Sequence, residues 1–293
     1  MSKALCLAQA VSTRPSDGPL GSFFVTVLAA GLWTLAVWIL VRALRPRKLL
    51  LVRAPGRANH AALPLVVGVY FVYQLATLLV AQLTAHLLGV PVRELPFQWI
   101  LPSQIAGQAV GIALSLTLAA MTFRHGLSRG LGLTLRHPYN DLARGVVGTL
   151  AVIPPTMGLL LLAQWLIERG WLPLTYRLHP VLEFLPKAGA GWVAVAVLSA
   201  VVLAPLAEEI FFRGLLQSSL KRHFRNPWPA VLIASAVFAL VHVQQVQDMP
   251  SLLVLGVALG YNYERTGRLG GPILMHAFFN TFSILNTLLQ VRG

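Results

Sequence analysis

Long apolar runs, separated by short polar connections rich in arginine, dominate the 293 residues of this chain. A membrane-spanning helix needs about 20 mostly apolar residues. The runs predict spans at 21–41, 61–88, 98–122, 146–167, 189–217, 229–247, 250–263 and 270–290, of which the seventh is short. The pattern therefore predicts an all-α fold, a polytopic membrane helix bundle of about eight spans.

The composition excludes an ordinary soluble domain. Hydrophobic residues make up 56% of the chain and charged residues only 11%, whereas soluble domains carry about 25% charged residues. The single cysteine, Cys6, excludes an intrachain disulfide framework and a cysteine-based zinc site. The net charge of +14 does not predict a nucleic-acid partner, because membrane proteins collect Lys and Arg in their cytoplasmic loops.

The basic residues predict an orientation in the membrane. The connections after the first, third, fifth and seventh spans hold 15 of the 23 Lys and Arg residues. The positive-inside rule places these connections in the cytoplasm and both termini outside it. We expect an integral, multi-pass protein of a cell inner membrane, with the lipid bilayer as its surroundings.

The fifth span carries three charged residues, Glu208, Glu209 and Arg213, where the solvent is hydrocarbon. Glu209 and Arg213 stand four residues apart, which favours an ion pair on one helix face. Glu208 points about 100° away and is left free for another role. Pro205 removes a backbone hydrogen bond and loosens the helix. The alternative is that all three charges form a buried cluster that ties helices together.

The last spans add polar side chains at helical spacing. Phe238 and His242 share one face of the sixth span, and His276 and Asn280 share one face of the eighth. Each histidine alone is more typical of a hydrogen-bonding strut, and Asn280 could join two helices. Together with the glutamates, these groups can hold a water molecule, take its proton and stabilise an oxyanion.

A metal site is a second interpretation of the same residues. Two histidines and one carboxylate form a known catalytic zinc shell, which here would be Glu208, His242 and His276. The H-E-x-x-H pattern of single-helix zinc proteases is absent from the sequence. No cofactor is certain, and zinc remains the possible one.

At these positions the sequence resembles the CPBP/Abi family, which includes the type II CAAX prenyl endopeptidases, or Ras-converting enzymes. The resemblance consists of three ordered patterns, E-E-x-x-x-R from Glu208, F-x-x-x-H from Phe238 and H-x-x-x-N from His276. It divides the chain into N-terminal spans without a motif, 1–188, and catalytic helices resembling the family, 189–293.

The resemblance implies an intramembrane endopeptidase that cuts near the C-terminus of membrane-associated protein substrates. By position, it implies that Glu208 is the general base on the attacking water and that His242 holds the same water. His276 and Asn280 would stabilise the tetrahedral oxyanion. The family's names describe metalloproteases, although a metal-independent glutamate mechanism is also argued for the prenyl-protein branch.

Three further residues have supporting roles in this interpretation: Glu209, Arg213 and Phe238. A non-proteolytic family scaffold and a bacteriocin-immunity protein are alternatives, because relatives of both kinds exist in the family. A transporter would need polar groups along a path through both leaflets, and often an inverted repeat. Here the polar groups concentrate in the last spans, and no repeat is visible.

Shared chemistry requires that Glu208, His242 and His276 face one cavity, with Asn280 beside His276. The predicted spans put these residues at different depths. His242 is about 13 residues into its span, roughly 20 Å, whereas His276 is only about six residues into the eighth. The sixth helix must therefore tilt, or the eighth must start deeper in the membrane.

Overall fold

A computed structural model describes residues 19–44, 51, 58–175 and 179–292. In these ranges the regular secondary structure is helical, and there is no β-strand. The predicted all-α class is therefore confirmed. The N-terminal residues 1–18 and most of the basic connection 45–57 lie outside the described residues, so the predicted positions of the two termini and of that connection stay predictions.

A helix lies at each predicted span. We number these helices in chain order: α1 Pro19–Leu44, α2 Leu63–Leu88, α3 Phe97–Thr122, α4 Pro138–Glu168, α5 Ala190–Lys221, α6 Trp228–Leu240, α7 Met249–Thr266 and α8 Gly270–Arg292. By length and composition, α2, α3, α4 and α5 can each cross a membrane. Shorter apolar helices cover Val25–Leu40 and α6. The chain is a multi-pass membrane bundle.

Two predicted boundaries were wrong. Helix α4 begins at Pro138 rather than at residue 146, with a proline in its first turn, where the missing N–H costs nothing. Helix α6 ends at Leu240 rather than at residue 247. The Nδ1 atom of His242 bonds to the Phe238 carbonyl at 2.7 Å and competes for this helical acceptor. Beyond it, Gln245 has non-helical angles, φ −124° and ψ 64°.

The carboxy-terminal helices contribute to three clusters of buried apolar side chains. Helix α2 packs on α3, α4 contacts α1, α7 and α8, and α6 packs on α7. One cluster contains buried side chains from α5, α6 and α7, among them Ile210, Phe212, Leu215, Phe238 and Tyr263. Large apolar side chains on α1 and α2 face outwards and are more than half exposed, among them Trp33, Phe71, Leu79 and Leu83. This outer surface suits contact with hydrocarbon.

The connection between α3 and α4 is pinned to the turn between α7 and α8. Gly132 has φ +83°, and a Cβ atom there would collide with the carbonyl oxygen of Gly267. The Leu269 N–H donates to the Gly132 carbonyl at 3.0 Å, and the Tyr263 hydroxyl donates to the Leu131 carbonyl at 3.1 Å. The two connections therefore form one packed unit at this end of the bundle.

Gly132→Ala should destabilise the protein more than Gly126→Ala. Both glycines have positive φ, which costs an alanine about 1–2 kcal/mol, but a Cβ at Gly126 meets no atom within 4 Å. Gly132→Ala adds a backbone collision to this cost. Thermal unfolding of the detergent-solubilised variants measures the difference. Equal losses of stability would show that the close approach of Gly132 to Gly267 does not hold the two connections together.

Candidate active site

Helix α5 changes its hydrogen-bonding register on both sides of its charged residues. Two π-helical segments, Ser199–Leu203 and Ile210–Gln217, flank the α-helical turn Ala204–Glu209. Such segments inside α-helices are frequent at functional sites. The first ends just before Pro205, which has no N–H to donate. The local loosening predicted from Pro205 therefore agrees with the observed helix.

Because of this register, one backbone carbonyl of α5 lacks its helical N–H donor and accepts a hydrogen bond from a side chain on α8. The Ala204 N–H donates to Ser199, five residues back, and Pro205 can offer no N–H to Ala200. The Asn280 Nδ2 atom instead donates to the Ala200 carbonyl at 2.8 Å. Asn280 thus joins α8 to α5, as one sequence interpretation proposed, and its amide still carries a second N–H.

The predicted ion pair between Glu209 and Arg213 is present and buried. The Arg213 Nη1 atom donates to Glu209 Oε1 at 2.9 Å, and the two side chains are 1% and 0% exposed. The Arg213 Nη2 atom donates to the Gly256 carbonyl of α7 at 3.1 Å. The guanidinium carbon also lies 4.7 Å from the centre of the Phe238 ring on α6. One buried charge therefore connects three helices.

His276 lies between the two glutamates of α5. Its Nδ1 atom is 2.9 Å from Glu209 Oε1, and since a carboxylate only accepts, we assign the proton to Nδ1. Its Nε2 atom is 3.8 Å from Glu208 Oε2, which is too long for a direct hydrogen bond. Glu208 Oε2 has no hydrogen-bond partner in the described residues. The Glu208 side chain is 27% exposed, so it differs from Glu209 as the sequence predicted.

Phe238 brings the two histidines to one level of the bundle. Its ring centre lies 5.0 Å from that of His242 and 5.8 Å from that of His276. Both imidazoles therefore lie near the same ring, although the sequence places them at different depths of their spans. The His242 Nδ1 atom bonds to the Phe238 carbonyl rather than to Glu208. Its Nε2 atom is then the acceptor nitrogen of the neutral ring.

Glu208 opens onto a cavity between α5 and the helices α2 and α3. Side chains and backbone from the two upstream helices line it, including Tyr70, Tyr73, Gln108, Gly111 and Ser115. Both tyrosines are close enough to Glu208 for an electrostatic interaction with its carboxylate. Of the four predicted catalytic residues, only Glu208 lines this cavity in the described part of the chain. The His276 Nε2 atom is 3.8 Å from Glu208 Oε2, whereas His242 bonds to the Phe238 carbonyl and Asn280 to the Ala200 carbonyl. The prediction that Glu208, His242 and His276 face one cavity is therefore not confirmed by the lining of this cavity.

Several residues of the site carried no signal in the sequence. Tyr70, Tyr73 and Gln108 lie in spans without a motif, and aromatic residues there are also typical of ordinary membrane helices. His179, which directly precedes the short helix Pro180–Phe184, lies in a connection without a motif. Burial, and to a smaller extent the nearby His242 ring, lower the pKa of His179 to about 4. It is therefore neutral at physiological pH.

The predicted zinc ligands do not form a three-ligand group. Among the described residues, no set of three or more His, Cys, Asp or Glu side chains is placed to hold a metal ion. Glu208 Oε2 and His276 Nε2 are 3.8 Å apart, while His276 Nδ1 bonds to Glu209. The use of zinc stays a prediction.

Comparison with known proteins identifies the segment that holds this site. Residues 190–282 match the model of the family described as "Type II CAAX prenyl endopeptidase Rce1-like". The segment covers α5, α6, α7 and the first half of α8, and all seven predicted site residues lie within it. The resemblance stated from the sequence motifs is confirmed for this segment.

Two curated proteins are each similar to about a third of this chain. The protein named "Putative membrane peptidase YdiL" of Bacillus subtilis is 32% identical over 104 residues, 34% of this chain and 41% of the relative. An "Uncharacterized 24.3 kDa protein" of Escherichia coli is 30% identical over 96 residues, 32% of this chain and 44% of the relative. The chain thus matches less than half the length of these relatives. No solved structure matches it.

Arg213→Ala should lower both the folded yield and the thermal stability. It leaves the Glu209 carboxylate buried with only His276 as a partner, and breaking a buried ion pair in this way costs about 3–5 kcal/mol. Thermal unfolding in detergent measures the loss. Arg93→Ala is the matched control, because the Arg93–Glu94 pair has side chains 84% and 59% exposed. An Arg213→Ala protein as stable as the control would remove the structural role of the buried pair.

Proposed function

We propose that this protein is an intramembrane endopeptidase of the CAAX-protease type. It hydrolyses a peptide bond near the C-terminus of membrane-associated protein substrates. The observation that carries this proposal is the Glu208 carboxylate, which lies inside an apolar helix with Oε2 unpaired, faces a cavity and stands 3.8 Å from His276. The family match over 190–282 and the name of the Bacillus subtilis relative support it.

In the proposed reaction, Glu208 acts as the general base. A water molecule beside Glu208 Oε2 loses a proton to the carboxylate while its oxygen bonds to the scissile carbonyl carbon. The carbonyl π electrons move to oxygen and give a tetrahedral oxyanion. When the oxyanion collapses, the C–N bond breaks and Glu208 returns the proton to the leaving nitrogen. The products are a new carboxyl terminus and a free amine.

His242 is proposed to orient the attacking water. Its Nδ1 atom is held by the Phe238 carbonyl at 2.7 Å, which leaves Nε2 as an acceptor for a water proton. The ring is also fixed against Phe238. A nitrogen with a fixed tautomer and a fixed direction suits a water-positioning role better than a freely rotating side chain.

His276 and Asn280 are proposed to stabilise the oxyanion. His276 can donate from Nε2 in its imidazolium form, while Nδ1 stays on Glu209. Asn280 donates one side-chain N–H to the Ala200 carbonyl and can donate the other to the oxyanion. Since both groups are anchored, they need little reorganisation as negative charge develops. Glu209 and Arg213 support this arrangement by holding the His276 ring.

The cavity between α2, α3 and α5 measures about 30 Å³, room for about two water molecules, and we propose that it marks where the substrate enters between these helices. Tyr70, Tyr73 and Phe211 give it aromatic walls, while Gln108 offers a polar amide. An extended C-terminal peptide carries both apolar side chains and backbone polar groups, so it needs both kinds of contact. In this proposal the upstream helices choose the substrate and the carboxy-terminal helices cut it. We also propose an inner-membrane location with the termini outside the cytoplasm.

A non-proteolytic scaffold is the second candidate. The observation that favours it is that Arg213, Glu209 and Asn280 all make bonds between helices. A structural role would account for these three residues. It does not account for Glu208, whose Oε2 atom faces a cavity without a hydrogen-bond partner among the described residues.

Glu208→Gln should reduce turnover by about 10²–10⁴, the usual contribution of a general base. The amide keeps the size of the side chain but cannot take the proton, and folding should be preserved because an amide costs less to bury than a charge. The assay follows release of a C-terminal fragment in liposomes by mass spectrometry. Glu168→Gln, an exposed glutamate at the end of α4, is the control and should keep full activity.

A chelator added to the same assay distinguishes water activated by Glu208 from water activated by a bound metal ion. Water activated by Glu208 alone predicts that chelation leaves wild-type release unchanged. Loss of release on chelation, with recovery on adding zinc, would replace this mechanism with a metal-bound water. Near-wild-type release by Glu208→Gln would contradict the general-base role whatever the effect of chelator.

Gly111→Leu should lower kcat/KM by about tenfold or more, because a side chain there enters the proposed substrate cavity. A Cβ at Gly111 reaches ordinary contact with the Tyr73 ring at 3.4 Å, so the first carbon is tolerated and the branched end projects beyond it. Gly68→Leu on α2 is the control, since a Cβ there meets nothing within 4 Å. Unchanged kcat/KM in a stably folded Gly111→Leu protein would show that the substrate binds elsewhere.

A further inference from the structure

A basic pocket lies outside the candidate active site, at one end of the bundle. Its lining combines cationic and hydroxyl side chains without a carboxylate, and includes Ser128, Arg129, Thr134, Arg136, His137 and Arg268. The cavity measures about 190 Å³, and a water molecule needs only about 10–15 Å³ of such space. It can therefore hold a ligand much larger than one water.

The pocket lies where membrane helices end. Helix α3 ends at Thr122 and α4 begins at Pro138 on one side of it, while α7 ends at Thr266 and α8 begins at Gly270 on the other. Because helices that cross a bilayer end near its head groups, this pocket lies at the level of the lipid phosphates. The N-terminus of α4 adds a positive helix dipole.

The pocket is preformed rather than assembled from loose side chains. Asp141, in the first turn of α4, is 3% exposed and accepts bonds from Arg268 Nε at 3.0 Å and Nη2 at 2.6 Å. The Arg268 guanidinium is thereby fixed, and it keeps further N–H groups for a ligand. The backbone contact between Gly132 and Gly267 holds the two connections on either side of the pocket together.

The positive charge around this pocket is not balanced by the protein. Arg129 and Arg136 line it together with Arg268, and Arg144 lies close enough to Arg268 and to Arg265 for electrostatic repulsion. In the described part of the chain, Asp141 pairs with Arg268, and the other four arginines make no ion pair. Five positive charges against one carboxylate leave an excess of about four, which favours a bound anion.

Two large apolar side chains beside the pocket indicate that the anion belongs to a lipid. Leu135 is 90% exposed and Tyr139 is 85% exposed, and they flank Arg136 and His137 along the chain. Exposed apolar and tyrosine side chains at this level suit the boundary between head groups and acyl chains. A free phosphate would leave both side chains in water, whereas a phospholipid would cover them.

We propose that this pocket binds the phosphate head group of an anionic phospholipid. Arg129, Arg136 and Arg268 bind the phosphate oxygens, as guanidinium groups do with oxyanions. Leu135 and Tyr139 contact the glycerol and the upper acyl chains. The lipid closes the end of the bundle where α3, α4, α7 and α8 meet. This site is independent of catalysis at Glu208.

The test measures lipid binding by the full-length protein. Detergent-purified protein is titrated with phosphatidylglycerol or phosphatidylcholine, and native mass spectrometry counts the bound lipid. The wild type should prefer phosphatidylglycerol. Arg129→Gln with Arg136→Gln should weaken phosphatidylglycerol binding by about 10- to 30-fold, since each surface cation contributes about 1 kcal/mol. Arg93→Gln, a matched exposed arginine outside the pocket, should have no effect. Equal phosphatidylglycerol binding by the double variant and wild type would overturn the proposal.

Two further arms separate a lipid from free phosphate. Leu135→Asn keeps every cation and should still weaken phosphatidylglycerol binding, because it removes only the apolar contact. Excess inorganic phosphate should displace little of the lipid. Complete displacement by phosphate, together with an unaffected Leu135→Asn variant, would show a free-phosphate site and overturn the lipid proposal. Both arginines replaced in the double variant are exposed, so loss of folding is not expected, and thermal unfolding checks it.

Discussion

The buried guanidinium of Arg213 is the constraint on which the carboxy-terminal half of the bundle depends. A charge in an apolar interior must be paired and hydrogen-bonded, or it costs several kcal/mol. Arg213 meets this requirement through Glu209 on its own helix, the Gly256 carbonyl on α7 and the Phe238 ring on α6. Through Glu209 the network reaches His276 on α8. Four helices are thus placed by the need to satisfy one cation.

The same network makes two adjacent glutamates chemically different. Glu209 is fully buried and accepts bonds from Arg213 and His276 through Oε1. Glu208 points to another side of the helix, is partly exposed and lines a cavity. The Oε2 atoms of both glutamates lack a hydrogen-bond partner among the described residues, but only that of Glu208 belongs to a side chain that lines the cavity, which favours a chemical role for Glu208.

A backbone irregularity and a distant helix pair complete the site. Pro205 and the π-helical turn before it leave the Ala200 carbonyl for Asn280, which fixes the middle of α5 against α8. Tyr70 and Tyr73 on α2 and Gln108 on α3 wall the cavity in front of Glu208. The division of the chain at residues 188 and 189 describes where the family resemblance begins. The cavity itself is built from both sides of that division.

Hydropathy and helical period determined much of this protein from the sequence alone. The eight helices, the Glu209–Arg213 pair and the separate direction of Glu208 follow from interactions within a few residues, so they are visible in a single chain. Tertiary structure decided the rest. The end of α6 at Leu240, the partner of Asn280 and the tyrosines beside Glu208 depend on contacts between residues far apart in the sequence. No local pattern records which faces of two apolar helices will meet, because in a membrane nearly every face is apolar and packing, rather than hydrophobicity, selects the partner.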